Sequence, residues 1–172
     1  MIRQATEKDI DAIAATYEEL FDREDAEGTT TNWRRGGYPT RKVPEEFVPK
    51  GAMWVLEDEG RICASMLLNH AQGPGYDTAD WEVPARDDQV LVIHTLVVSP
   101  SAARKGYGSQ MLAFAEDWGR ENGCVSCRID TWIDNEPAKA FYLRHGYRIS
   151  GSAHVLHWGV IDEEQVFLEK KL

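Results

Sequence analysis

The pattern of apolar and polar positions in the first part of the chain predicts a strand, then a helix, then an irregular segment. A short strand is predicted over residues 2–5, and a helix follows, with Thr6 as its cap. Residues 21–50 are irregular and rich in charge, glycine and proline, so a long connection is expected there, and such a connection usually has a task such as covering a site. The apolar residues of the helix recur at helical spacing: Ile10, Ile13, Ala14, Tyr17 and Leu20.

The rest of the chain alternates between strand and helix patterns. A hairpin is predicted over 52–58 and 61–70, and a second polar loop over 71–88. The segment QVLVIHTLVV is β-branched and nearly continuous, which is typical of a strand buried on both faces. This order predicts an α/β fold in one domain, residues 1–172, with a single mixed sheet and helices on both faces. The remaining predicted elements are helices at 106–121 and 135–146 and strands at 124–132, 147–159 and 165–172.

Composition and charge narrow the class of protein. The chain has 172 residues, of which 42% are hydrophobic and 28% charged, as in an ordinary soluble globular protein. The net charge of −10 argues against a nucleic-acid partner, since phosphate contacts need clustered lysine and arginine. No apolar run is long enough for a membrane helix, and the start MIRQATEKDID does not resemble a signal peptide. A cytoplasmic location without membrane partners is therefore expected.

Three cysteines fit a reducing compartment. Cys124 and Cys127 form a C-x-x-C pair, which is compatible with redox chemistry or with half of a zinc site completed by His154 and His157. The pair lies within a predicted strand, however, whereas a redox pair stands at the start of a helix. We therefore expect two partly buried strand cysteines and no metal.

The stretch SPSAARKGYGSQML, residues 99–112, places Gly106 and Gly108 where a helix begins. Glycine costs about 1 kcal/mol relative to alanine in a helix, so the pair indicates a local requirement. The first four N–H groups of a helix have no partner within it, and a glycine turn lets an anion reach them. The segment is neither a Walker loop nor a dinucleotide fingerprint. The pattern alone fits a phosphate cradle and a plain strand-to-helix turn equally well.

Two stretches together resemble the motifs of the GNAT family of N-acetyltransferases. The strand, loop and helix around Gly106 and Gly108 resemble the family's acetyl-CoA motif, [Q/R]-x-x-G-x-[G/A]. The stretch NEPAKAFYLRHGY resembles its second motif, N-x-x-A-x-x-x-Y-x-x-x-G-[FY], in full. Residues 90–150 carry the resemblance well. The residues that match the second motif are Asn135, Ala138, Tyr142, Gly146 and Tyr147.

The resemblance implies a GNAT fold, with a mostly antiparallel sheet of about seven strands, and acetyl transfer from acetyl-CoA to a primary amine by direct attack. The family's arginine or glutamine position is occupied by Ala103, so backbone N–H groups of 104–109 would carry more of the pyrophosphate contact. The preceding strand would hold the pantetheine arm through its backbone. The residues implied to bind acetyl-CoA are Leu96, Val97, Val98, Arg104, Lys105, Gly106, Tyr107, Gly108, Ser109, Asn135 and Ala138.

The predicted catalytic residues are Tyr142 and His94. The resemblance places Tyr142 near the CoA sulfur, where a phenol would protonate the departing thiolate; a core tyrosine is the alternative. His94 lies near the point where many relatives carry a glutamate base. A histidine of ordinary pKa can accept a proton at neutral pH, which would give the rate an acidic limb at about pH 6–7. The alternative for His94 is a strand histidine hydrogen-bonded beneath the substrate loop.

The resemblance places recognition of the acceptor amine in NWRRGGYPT, and Trp81 of DTADWEV could line the opposite wall. The predicted function is thus a cytoplasmic N-acetyltransferase acting on a small-molecule amine. The alternatives are an acetyl-CoA sensor or scaffold without turnover and a protein or peptide N-acetyltransferase. The closing strands would suit a homodimer or simply a sheet edge. The predicted substrate-binding residues are Trp33, Arg34, Tyr38 and Trp81, with Arg35 as a second cation.

Overall fold

A seven-stranded mixed sheet forms the centre of the protein, and the computed structural model describes all of residues 1–172. The strands lie in the order β1-β2-β3-β4-β5-β7-β6. Only β4 and β5 are parallel, and every other neighbouring pair is antiparallel. The predicted mixed, mostly antiparallel sheet is confirmed. The strand bounds are β1 Ile2–Gln4, β2 Met53–Asp58, β3 Arg61–Asn69, β4 Val90–Val98, β5 Ser126–Trp132, β6 Arg148–His157 and β7 Ile161–Lys171.

Four α-helices cover the two faces of this sheet, as predicted. Successive side chains of a strand point to opposite faces, so each central strand supplies both hydrophobic cores. In β3, for example, Leu67 packs into the core beneath α1 and α2, whereas Met66 and Leu68 pack into the core beneath α3 and α4. No helix combines the length and the apolar character that a membrane crossing requires. The helix bounds are α1 Ile10–Glu27, α2 Lys42–Phe47, α3 Tyr107–Glu121 and α4 Glu136–Arg144.

The structure corrects three predicted boundaries. Helix α1 continues to Glu27 because Phe21 and Glu24 extend its buried face by two further positions. Helix α2 lies within the stretch predicted to be irregular, where six residues are too few to show a period. Strand β7 begins at Ile161 rather than at residue 165, because Ile161, Glu163 and Gln165 alternate into the interior.

The three cysteines are buried and free. Cys127 lies in β5, and burial raises the pKa of its thiol to about 12, which keeps it protonated and unreactive at neutral pH. No group of three or more histidine, cysteine, aspartate or glutamate side chains is arranged to hold a metal ion. Cys124 precedes β5, which begins at Ser126 rather than at residue 124 as predicted, so only Cys127 is a strand cysteine, and both are buried rather than partly buried.

Candidate active site

A cleft of about 310 Å³ lies where β4 and β5 diverge. The parallel pairing of the two strands ends at Ile93 and Ile129, and beyond this point their backbones separate. Side chains from α4 line one end of the cleft, and the segment after α1 and the β6–β7 turn line the other. The cleft thus connects the two faces of the sheet between the separated strands.

The strands diverge because β4 contains a bulge. Its pairing with β3 has one extra residue, since Leu67 is opposite His94 whereas Ser65 is opposite Val97. Thr95, within the bulge, has φ +50°, a left-handed conformation that is strained for a β-branched residue. Its buried hydroxyl is hydrogen-bonded to the Tyr38 hydroxyl, which helps to hold the conformation. After the bulge, Leu96, Val97 and Val98 all line the cleft.

The glycine turn precedes α3 at the edge of this cleft. Arg104 has φ +67° and Gly106 has φ +76°, and Gly106 is the N-cap of the helix. The amide of Gln110 is the first in the helix to bond a backbone carbonyl, that of Gly106 at 3.1 Å. The preceding amides are thus the orphan donors of a helix start. Gly108 lines the cleft, and a Cβ there would lie 3.5 Å from the ring of Phe141, in ordinary contact.

The side chains of this turn have separate partners. The Tyr107 hydroxyl donates to Asp58 Oδ2 at 2.5 Å, and Lys105 Nζ lies 3.6 Å from the same oxygen. Ser109 Oγ lies 3.0 Å from Nε2 of His145, whose Nδ1 donates to the carbonyl of Phe141 at 2.8 Å. The His145 ring therefore ties the start of α3 to α4, a positioning contact that sequence analysis missed.

Helix α4 brings Asn135, Ala138 and Tyr142 to the cleft. Asn135 caps the helix as predicted, because its Oδ1 accepts from the amide of Ala138 at 3.1 Å. Its Nδ2 donates to Thr131 Oγ1 at 3.1 Å, which fixes the helix start against β5. Tyr142 is 7% exposed and its hydroxyl has no hydrogen-bond partner in the protein. Burial raises the pKa of Tyr142, so the phenol stays protonated at neutral pH.

His94 lines the cleft immediately before the bulge. Its Nε2 lies 3.0 Å from Asn69 Oδ1, an oxygen that also accepts from the amide of Ala71 at 2.8 Å. Because that atom is an acceptor, Nε2 carries the proton and Nδ1 is the free acceptor of the ring. Burial lowers the pKa of His94 to about 4, so the imidazole is neutral at pH 7.

Aromatic side chains form the other end of the cleft. The ring of Tyr38 stacks on Trp158 with centroids 4.8 Å apart, and Trp33 meets it edge-on at 5.7 Å. His157 also meets Tyr38 edge-on, at 5.3 Å. All four side chains line the cleft. Trp158, at the β6–β7 turn, was not predicted from the sequence.

A buried carboxylate shapes the segment that carries Trp33. Glu24 Oε1 accepts from the amides of Thr30 and Thr31 at 2.8 and 2.9 Å, and its Oε2 accepts from the Thr31 hydroxyl at 3.0 Å. The Thr31 hydroxyl oxygen in turn accepts from the amide of Trp33 at 3.1 Å. Bonds to an ionised acceptor are stronger than neutral ones, so Glu24 positions this part of the cleft wall.

Two acidic side chains also face the cleft, Asp130 of β5 and Glu163 of β7. Asp130 Oδ2 accepts from the Tyr76 hydroxyl at 2.7 Å, and Glu163 Oε2 accepts from Asn32 Nδ2 at 2.8 Å. Burial raises the pKa of both carboxyl groups. Both are residues that sequence analysis did not select.

The sequence model of the acetyltransferase (GNAT) family matches residues 12–147. The chain belongs to the GNAT family. It is accordingly an acyltransferase that depends on acetyl-CoA, and its single seven-stranded sheet is the GNAT fold.

Two curated relatives and one solved structure illustrate the similarity. An uncharacterised N-acetyltransferase in the pepI 3′ region of Lactobacillus delbrueckii subsp. lactis is 26% identical over 99% of this chain and 95% of that protein. The aminoalkylphosphonate N-acetyltransferase of Salmonella typhimurium is 41% identical over 58 residues, 34% of this chain and 38% of that protein. The crystal structure of N-acetylglutamate synthase from Neisseria gonorrhoeae, complexed with coenzyme A and N-acetyl-glutamate, superposes with a TM-score of 0.67 at 18% identity, covering 100% of this chain and 35% of that one.

Some residues predicted for the GNAT acceptor site lie away from the cleft. Trp81 packs on Tyr76, and the guanidinium of Arg128 lies 4.2 Å from the centre of its ring. Arg35 forms exposed ion pairs with acids of α1, and Arg34 is exposed and outside the cleft lining. Trp81 is therefore used by the fold, whereas Arg34 and Arg35 lie at the surface. Trp33 and Tyr38 do line the cleft.

Proposed function

We propose that this GNAT-family enzyme transfers the acetyl group of acetyl-CoA to the primary amine of a small molecule by direct attack. The observation that carries the proposal is the continuous cleft between β4 and β5, which joins the start of α3 to an aromatic chamber on the other face. Acetyl-CoA enters from one side and the amine from the other. The two meet beside the bulge in β4.

The helix start fits the phosphates of acetyl-CoA. The first amides of α3 have no backbone acceptor, and the helix dipole adds partial positive charge there. Gly108 leaves the approach to these amides open, because it has no side chain between Phe141 and Val98. The diverged backbone of Leu96 and Val98 is available to bind the pantetheine arm and to polarise the thioester carbonyl.

The transfer needs one proton acceptor and one proton donor. The acceptor amine loses a proton, its nitrogen forms the C–N bond to the acetyl carbon, and the C–S bond of the thioester breaks. The Tyr142 hydroxyl protonates the departing CoA thiolate, since burial keeps this phenol protonated. His94 is the proposed base, neutral at pH 7 with a free Nδ1 for the amine proton, directly or through water.

The dimensions of the cleft favour a small acceptor. Its volume of about 310 Å³ lies at the lower end of the range of small-molecule sites, roughly 300–1,000 Å³. The segment after α1 and the β6–β7 turn meet over its aromatic end, where Tyr38 stacks on Trp158. A GNAT relative named as an aminoalkylphosphonate N-acetyltransferase also supports a small acceptor.

The test is product formation. Purified protein is incubated with acetyl-CoA and a panel of small primary amines or an unfolded protein mixture, and acetylated products are identified by mass spectrometry. We expect acetylated small amines and stoichiometric release of CoA thiol. Acetyl-CoA binding without any acetylated product would instead support a sensor, and acetylation confined to polypeptides would support a protein acetyltransferase.

A further inference from the structure

The aromatic end of the cleft contains two carboxyl groups with which no lysine or arginine side chain of the protein pairs. Asp130 and Glu163 both line it, and Glu163 is only 4% exposed. Their hydrogen-bond donors are neutral: the Tyr76 hydroxyl for Asp130, and the Asn32 and Gln165 amides, at 2.8 and 3.1 Å, for Glu163. No lysine or arginine nitrogen lies within 4.0 Å of either carboxyl group. Buried carboxylates are normally paired, and burial without a cation raises the pKa of both groups, so the arrangement leaves room for a cation that would favour their charged form.

The neighbouring imidazoles do not supply that cation. His157 Nδ1 lies 4.0 Å from Asp130 Oδ1 but 2.6 Å from Gln165 Nε2. An amide nitrogen only donates, so Nδ1 accepts and does not carry the proton. Burial lowers the pKa of both His157 and His94, so both rings are neutral at pH 7.

Two arginines approach the same region from the α1 side. Arg23 lines the cleft. Burial raises the pKa of Glu163, and the charge of the exposed Arg34 lowers that pKa slightly. Neither guanidinium forms an ion pair with Asp130 or Glu163. Arg23 is therefore the one group of the cleft that could favour an anionic acceptor instead, and the experiment must exclude that role.

Aromatic walls and an unpartnered hydroxyl complete the chamber. The faces of tryptophan rings attract cations, and Trp33 and Trp158 both line this end of the cleft, with the buried ring of Tyr38 packed between them. Tyr142, 7% exposed, presents to the same cleft a hydroxyl with no protein partner. Carboxyl groups, aromatic faces and an unpartnered hydroxyl together suit an ammonium group on an apolar body.

We propose that the acceptor binds as an organic cation held by Asp130, Glu163 and the rings of Trp33 and Trp158. Such an acceptor has a primary ammonium on an apolar or aromatic body, without a carboxylate or phosphonate beside the amine. This rests on the proposed function, since it names the substrate class of the same site. It also separates this protein from its relative named for aminoalkylphosphonates, whose acceptors carry an anionic group.

Matched ligand pairs test the proposal on the unmodified protein. 2-Phenylethylamine and L-phenylalanine differ only in the carboxylate beside the amine, as do 3-methylbutylamine and L-leucine. Each is titrated into the full chain with saturating CoA, which prevents turnover, and binding is followed by tryptophan fluorescence and calorimetry. We expect each amine to bind at least tenfold more tightly than its carboxylated partner.

Variants then assign the effect to the two acids. Asp130→Asn and Glu163→Gln keep the shape of each side chain and should weaken binding of 2-phenylethylamine at least tenfold without changing the affinity for CoA. Glu164→Gln is the matched control, because it removes the same charge from an exposed position of β7 that bonds Ser152. Melting temperatures show whether each variant folds. If Asp130→Asn does not fold, Glu163→Gln alone tests the proposal.

Three results would overturn either the cation site or the proposed transfer. Equal or tighter binding of the carboxylated partners would overturn the proposal and assign Arg23 to an acceptor carboxylate. Absence of binding by either amine at millimolar concentration, while CoA binds, would also overturn it. Tight binding of the amines without acetylation would refute the proposed transfer and leave the cation site standing.

Discussion

Replacement of Tyr142 by phenylalanine separates catalysis from stability. The substitution removes one hydroxyl that has no hydrogen-bond partner in the protein and lies in a side chain that is 7% exposed. No donor or acceptor is orphaned, so the free energy of unfolding should change by less than about 0.5 kcal/mol. Loss of the acid that protonates the thiolate should lower kcat about 100-fold or more, within the usual range for a general acid.

Tyr147 provides the matched control, because it belongs to the same motif and the same core but does not line the cleft. Its hydroxyl, in a side chain 3% exposed, donates to Cys127 Sγ at 3.2 Å. Tyr147→Phe loses this bond, worth about 0.5–1 kcal/mol, and should lower the melting temperature by about 1–4 °C with kcat unchanged.

The assay is the release of CoA thiol, followed by absorbance at saturating acetyl-CoA, together with a thermal melt of each variant. The two substitutions should therefore show opposite patterns. Burial raises the pKa of Tyr142, so the wild-type rate should show no loss from its ionisation up to about pH 10, the ordinary tyrosine value. A kcat for Tyr142→Phe within twofold of wild type would refute its role as the acid.

Three further substitutions probe the rest of the cleft. Gly108→Asp should abolish acetyl-CoA binding and retain the fold, since its Cβ meets Phe141 at an ordinary 3.5 Å and its charge repels the phosphates. His94→Gln should lower the rate. Because the base works in its neutral form, the wild-type rate should fall as the pH drops through about 4 rather than about 6–7. The variant should lack this acidic limb. Glu24→Gln weakens the bonds to Thr30 and Thr31, should cost about 1–2 kcal/mol, and should raise the KM of the amine only.

A specific result would contradict each of these three predictions. An unchanged acetyl-CoA affinity in Gly108→Asp would show that the glycine turn is structural. An acidic limb that persists in His94→Gln would assign the titration to another group. If Glu24→Gln raised the KM of acetyl-CoA and left the KM of the amine unchanged, the segment held by Glu24 would belong to the acetyl-CoA side of the cleft and not to the acceptor side.

The acetyl-CoA side of the cleft could be predicted from the sequence because its signals are local. The glycines at the start of α3, the Asn135 cap and the apolar run of β4 each depend on residues close together in the chain. The roles of His94, Tyr142 and the acetyl-CoA residues remain predictions, although the structure brings most of these residues to the cleft or to the turn beside it.

The acceptor side could not be predicted, because its residues meet only through strand pairing. Asp130 and Glu163 are ordinary polar positions in their own strands, and antiparallel pairing of β5 with β7 brings them to one face. The bulge at Thr95 has no glycine to indicate it, and Trp158 reaches Tyr38 from a distant hairpin turn. One signal was available: Phe21 and Glu24 continue the period of α1, and this would have shortened the predicted loop.

The most direct test of the central claim is calorimetric titration of acetyl-CoA into the wild-type protein and into Gly108→Asp. We expect one acetyl-CoA per chain in the wild type, thermal stabilisation of about 2.7 kcal/mol at 100 times the dissociation constant, and no measurable binding in the variant. Equal binding by both proteins would contradict the placement of the phosphates at the start of α3, and absence of binding by the wild type would contradict acetyl transfer through this cleft.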